Sequence, residues 1–139
     1  GGLNLEKNNK FLRNMILRLK KNKIRVSLFI EPQTYAVKSA FLLEADCVEL
    51  HTGSFCNSFH KKNKRLTKSF YYKIKRCADY AKDFGLKVHA GHGLTFQSTR
   101  ILSKIKNISE FNIGHFIVAE SIFVGMKTTI KKFKNIINK

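Results

Sequence analysis

The sequence predicts an α/β fold, half of a (β/α)8 barrel, on three observations. After one opening helix, short apolar runs alternate four times with longer segments of helical period. Each of the four apolar runs closes on a carboxylate, an imidazole or a glycine step, which is where such barrels carry their chemistry. The rival doubly wound fold lacks its fingerprint, because Gly91-His92-Gly93-Leu94-Thr95-Phe96 puts Phe96 where the third glycine belongs, and no phosphate-loop Gly-Lys-Ser/Thr occurs.

Asn4 to Lys21 reads as the opening helix, with Leu5, Leu12, Met15, Ile16 and Leu19 on one stripe and lysines opposite. Arg25 to Ile30 reads as a buried strand, and Pro32 then suits the first turn of a helix running to about Glu44. Asp46 to Leu50 is a second strand, closed by His51-Thr52-Gly53. The stretch from Ser54 to Asn63 has no strong period and reads as a polar loop of the kind that is often functional or mobile. Lys64 to Phe84 is a long helix with Leu66, Phe70, Ile74, Cys77, Ala78 and Ala81 inside, ended by Gly85.

The third strand opens through Gly91-His92-Gly93 onto Thr95, a residue able to cap a helix from there to about Lys106. Phe111 to His115 reads as the fourth strand, ending in Gly-His. A last helix carries Ile122, Met126, Ile130, Phe133 and Ile137 on one face. Such alternation implies parallel strands joined by right-handed crossovers. No Pro- or Gly-rich linker divides residues 1–139, so a single domain is expected.

The chain has 27 Lys and Arg against 9 Asp and Glu, a net charge of +18. A small basic nucleic-acid-binding module is therefore one reading. The basic residues are scattered over every helix, however, and solvated basic faces in a chain rich in Lys, Asn, Ile and Phe are the preferred account. The opening Gly-Gly-Leu-Asn-Leu-Glu is not a signal peptide, and the absence of an initial Met points to a start that lies upstream. Phe116 to Met126 is the best candidate for a membrane span, but it is too short and Glu120 interrupts it. Cys47, Cys56 and Cys77 form no C-x-x-C pair, which fits a reducing cytoplasm; Cys47 and Cys77 suit the core, and Cys56 is placed in the exposed loop.

The strand ends supply the candidate site. Glu31 follows the first strand, Glu49 and His51 close the second, His92 and Gly93 follow the third, and Gly114 and His115 follow the fourth. Glu49 between Val48 and Leu50 is costly to bury without purpose and suits acid/base work. His92 between two glycines suits a proton shuttle beside amides that can hold a phosphate. His51 and His115 divide evenly between structural capping and ligand contact. His89 fits the barrel wall and His60 the solvent. Converging histidines could hold zinc, but no His-x-His or His-x3-His pair shares an element, and no metal is assigned.

On these residues the sequence resembles the pyridoxine 5′-phosphate synthases of vitamin B6 biosynthesis. The matching segments are Arg25-Val26-Ser27-Leu28-Phe29-Ile30, Val48-Glu49-Leu50-His51-Thr52-Gly53, Gly85 to Thr95 with its Ala90-Gly91-His92-Gly93-Leu94-Thr95, and Asn112-Ile113-Gly114-His115. Gly1-Gly2-Leu3 is similar to the family's turn before the helix that precedes its fifth strand.

The resemblance covers essentially the whole chain and implies the C-terminal half of a (β/α)8 enzyme. It implies condensation of 1-deoxy-D-xylulose 5-phosphate with 3-amino-2-oxopropyl phosphate, with no metal and no organic cofactor. It casts His92 as proton donor and Glu49 as the carboxylate that stabilises intermediates. Gly93, Gly114 and His115 become the aminoketone-phosphate site, and His51 stands behind them. It further implies a cytoplasmic homo-oligomer, an octamer of whole barrels, and a missing N-terminal half-barrel without which this segment is inactive. A different phosphate-binding barrel enzyme is the nearer rival; a Schiff-base aldolase would want a strand-end lysine, and Lys87 stands at a strand beginning.

Overall fold

The computed structural model describes residues 1–7 and 9–138. Helix α1 (Asn9–Lys21) leads into β1 (Ser27–Ile30), α2 (Thr34–Leu42), β2 (Cys47–His51), α3 (Gly53–His60) and α4 (Lys64–Asp83). Then come β3 (Lys87–Gly91), α5 (Phe96–Leu102), β4 (Glu110–Asn112), α6 (His115–Val124) and α7 (Met126–Ile137). The strands form one parallel sheet in sequence order, β1-β2-β3-β4. This is the α/β half-barrel arrangement the alternation predicts.

Register divides the sheet into two chemically different faces. Leu28, Ile30, Val48, Leu50, Val88 and Ala90 are buried in one apolar cluster with Ile74, Cys77, Ala78 and Ala81 of α4. The alternate positions form a row across the sheet, Phe29 beside Glu49, Glu49 beside His89, and His89 beside Glu110. Because side chains alternate along a strand, all of these share the face opposite the helices. An interior face this polar departs from the branched apolar layers that usually fill a barrel.

Six expectations change. The opening helix does not start at Asn4: its side-chain Oδ1 accepts from the amides of Glu6 and Lys7, a turn that competes with helix. Asn8 lies outside the described residues. Ser54 to Asn63 is not a loop, because Gly53–His60 forms α3, with Phe55 and Cys56 buried beneath it. Cys56 is therefore a core residue and not an exposed one, and burial raises its thiol pKa.

The helix from Thr95 stops at Leu102. The fourth strand ends at Asn112, so Gly114 caps and His115 begins α6. The last helix is two helices, broken at Gly125 with φ 82°, a conformation that glycine tolerates. The break resets the helical phase, so α7 buries Thr129, Phe133 and Ile136 while Ile122 and Met126 stand exposed.

Candidate functional site

The carboxyl ends of the four strands meet at a cleft of about 210 Å³ lined by Phe29, Glu49, His92, Gly93, Leu94 and the turn from Asn112 to Phe116. A larger cavity, about 830 Å³, lies on the outer side among α3, α4 and α5 and includes none of these strand-end groups. Glu49, His92, Gly93, Gly114 and His115, which the sequence singles out, thus share one cleft. His51 sits behind it against His92. His60 is exposed, and His89 is buried at the middle of β3, beside Glu49 in register and 3.7 Å from Glu110, and does not line the cleft.

Glu49 is fixed from two sides. Asn112 donates from Nδ2 to its Oε2 at 2.6 Å, across a gap of 63 residues in sequence. Gly91 supplies the room, because a Cβ there would collide with Glu49 Oε1. The glycine that the sequence suggests as part of an anion cradle therefore also seats the carboxylate.

His92 carries the backbone outlier of the site. Its φ is 80°, in the left-handed region that a non-glycine residue adopts at a cost, and Gly93 follows at φ 78°. Thr52, fully buried, holds this turn: its hydroxyl lies 2.8 Å from the Gly91 carbonyl and 2.6 Å from that of His92, and its amide donates to Gly91 at 2.9 Å. Beneath Gly93 lies Cys56, whose Cβ would be 3.2 Å from any added side-chain carbon.

The fourth strand end reaches the cleft through aromatic packing. Phe116 of α6, Phe96 of α5 and Phe133 of α7 meet edge-on or tilted, with ring centroids 4.5 to 5.9 Å apart. That cluster brings the start of α6 beside the start of α5. Gly114 caps α6 with no side-chain hydrogen bond, so the leading amides of this helix carry no side-chain cap at its N-terminus.

Glu31 and His51 pair at 2.7 Å through Oε1 and Nδ1, and the Gly2 amide donates to the same Oε1 at 2.9 Å. Burial by itself would raise the Glu31 carboxyl, but the Gly2 and His51 hydrogen bonds and the His51 charge outweigh it and hold the pKa below 4.5. Sequence reading places Glu31 and His51 at strand ends but does not pair them, and gives Thr52 and Asn112 no part. Only the register of β1, β2 and β4 brings these residues together. Among the described residues no group of three or more His, Cys, Asp or Glu is placed to hold a metal, and no helix is long and apolar enough to cross a membrane.

Comparison with known proteins places the whole chain in one family. The family described as "Pyridoxal phosphate biosynthesis protein PdxJ" matches residues 1–139. A pyridoxine 5′-phosphate synthase of Pelagibacter ubique is 52% identical over 139 residues, covering 100% of this chain and 57% of that protein. Those of a Sulfurihydrogenibium and a Hydrogenobaculum species are 41% and 39% identical, each over 99% of this chain and over 55% and 58% of their own lengths. The chain thus spans a little over half the length of these curated relatives. With the match running from its first residue to its last, the chain belongs to the PdxJ family of pyridoxal phosphate biosynthesis proteins.

Proposed function

We propose that residues 1–139 act as the C-terminal half-barrel, within a single domain, of a pyridoxine 5′-phosphate synthase. In this reading the enzyme is a cytoplasmic transferase and homo-oligomer, an octamer of whole barrels. It condenses 1-deoxy-D-xylulose 5-phosphate with 3-amino-2-oxopropyl phosphate and releases inorganic phosphate and water, without metal or organic cofactor. An N-terminal half-barrel supplies the remaining acid/base groups and the deoxyxylulose phosphate contacts, so this half by itself does not turn over. Neither a membrane nor nucleic acid is a partner.

The observation that carries the proposal is the convergence of Glu49, His92, Gly93, Gly114 and His115 on one cleft. The amides of Gly93 and of the α6 start suit the aminoketone phosphate, since a helix N-terminus and a side-chain-free turn let an anion approach closely. His92, exposed at the rim, donates a proton to the departing oxygen as the imine forms and water leaves. Glu49, held by Asn112, stabilises the cationic character that develops on the condensing nitrogen.

The test is His92→Ala in the full-length polypeptide. Loss of a general acid should lower kcat by about a hundredfold or more, with the melting temperature unchanged or slightly raised. Near-normal turnover would remove His92 from the chemistry.

A further inference from the structure

We propose that Glu31 is a positioning residue of this site, acting through His51 on His92; the inference rests on the proton-donor role assigned above to His92. The geometry is a three-link chain. The Glu31 carboxylate accepts from His51 Nδ1–H at 2.7 Å. The His51 ring meets the His92 ring edge-on, with centroids 4.8 Å apart, and Phe29 closes the other side at 5.1 Å. Gly53 permits this contact, since a Cβ there would lie 2.7 Å from His51 Nε2 and 3.1 Å from His92 Cδ2.

A purely structural pair would not need this arrangement. The Glu31 side chain is 39% exposed and His51 lies at the mouth of the sheet, outside the apolar cluster. A carboxylate on Nδ1 selects the tautomer that free imidazole disfavours and leaves Nε2 bare, facing Gly53 and His92. His51 is then locked in orientation, and so is the ring packed on it. His92, strained at φ 80°, has no side-chain hydrogen bond of its own in the described structure to fix its imidazole, so the His51 face and Phe29 supply that constraint.

Charge follows the same path. The ionisable groups facing the two imidazoles are Glu31 behind His51, Glu49 and His115 across the cleft, and the Gly1 amino group beside Glu31. Glu31 therefore places a carboxylate behind the edge-on pair of rings.

The test is made in the full-length enzyme, with Glu31→Gln, Glu31→Ala and Glu31→Asp beside wild type. Gln retains shape and hydrogen bonding but not charge. Its kcat should fall about tenfold or more with KM little changed. Asp, which restores the carboxylate, should return kcat toward wild type. Nitrogen-15 histidine spectra should show His51 protonated at Nδ1 in wild type and shifted toward the Nε2–H form in Glu31→Ala.

A Glu31→Gln enzyme with the kcat and KM of wild type, or a His51 bare at Nδ1 at pH 7, overturns the proposal. The two readings fail separately. An active His92→Ala enzyme removes the donor role, whereas an inactive His92→Ala enzyme with an indifferent Glu31→Gln removes only the positioning chain. The spectra report on the Glu31–His51 link whatever the turnover.

Discussion

At the scale of single residues, the site is organised by a threonine that bears no chemistry. Left-handed backbone at a non-glycine residue costs about 1–2 kcal/mol, and His92 keeps it because Thr52 grips the carbonyls of Gly91 and His92, on either side of the His92 Cα. Thr52→Val preserves volume and removes the hydroxyl from a buried position. It should cost about 1–3 kcal/mol, the desolvation of a carbonyl left unpaired, which a urea titration reads directly. Turnover should fall further than this loss of stability explains, since His92 would relax from its strained turn. A stability loss with kcat unchanged would show the turn to be held by Gly93 and Cys56 instead. The importance of Thr52 is invisible in the sequence, because its partners lie 39 and 40 residues downstream. The importance of His92 is legible, because a histidine flanked by glycines after an apolar strand has little structural reason to exist.

At the scale of elements, the strands could be read because their side chains declare themselves locally: runs such as Ser27–Ile30 and Cys47–His51 are apolar, short and bounded by polar punctuation. Two helices could not. Gly53–His60 is poor in helix formers and stands as α3 only because Phe55 and Cys56 find a buried seat, a tertiary fact. The stripe from Ile122 to Ile137 has a convincing period, yet one backbone angle at Gly125 divides it. The same limit applies to the cleft: strand-end residues were recognisable one at a time, whereas the Glu49–Asn112 and Glu31–His51 pairs depend on register. The division between α6 and α7 has a functional reading, since α7 folds back to put Phe133 against Phe96 and Phe116. Phe133→Ala should cost about 3–5 kcal/mol as a large-to-small change in a packed site. On the proposed function, the full-length enzyme should also show KM for the aminoketone phosphate raised more than kcat is lowered, because the start of α6 loses its anchor. An unchanged KM would separate the aromatic cluster from the proposed phosphate site.

At the scale of the whole molecule, two surfaces compete. Net charge of +18 drives copies of the chain apart. Against it stands α6, mostly apolar apart from His115, Glu120 and Ser121 and with no buried residue, on which Ile122 and Phe123 are 79% and 84% exposed. A helix of that character belongs inside an assembly, and the relatives are nearly twice as long as this chain. Produced as residues 1–139 without further sequence, the protein should show no synthase turnover and should self-associate. Because the opposing force is electrostatic, association should strengthen as salt rises from about 0.05 to 0.5 M and the Debye length shrinks. Ile122→Lys together with Phe123→Glu should abolish it, as sedimentation velocity would reveal. The sign of the salt dependence is the decisive quantity. Complexes driven by the basic surface, with nucleic acid for instance, weaken as salt releases the advantage of counterion displacement. Association that instead grew with salt, and vanished with two apolar side chains, would assign the contact to α6. A chain that stayed monomeric at every salt concentration would mean that α6 covers itself in solution by a packing different from the one seen here.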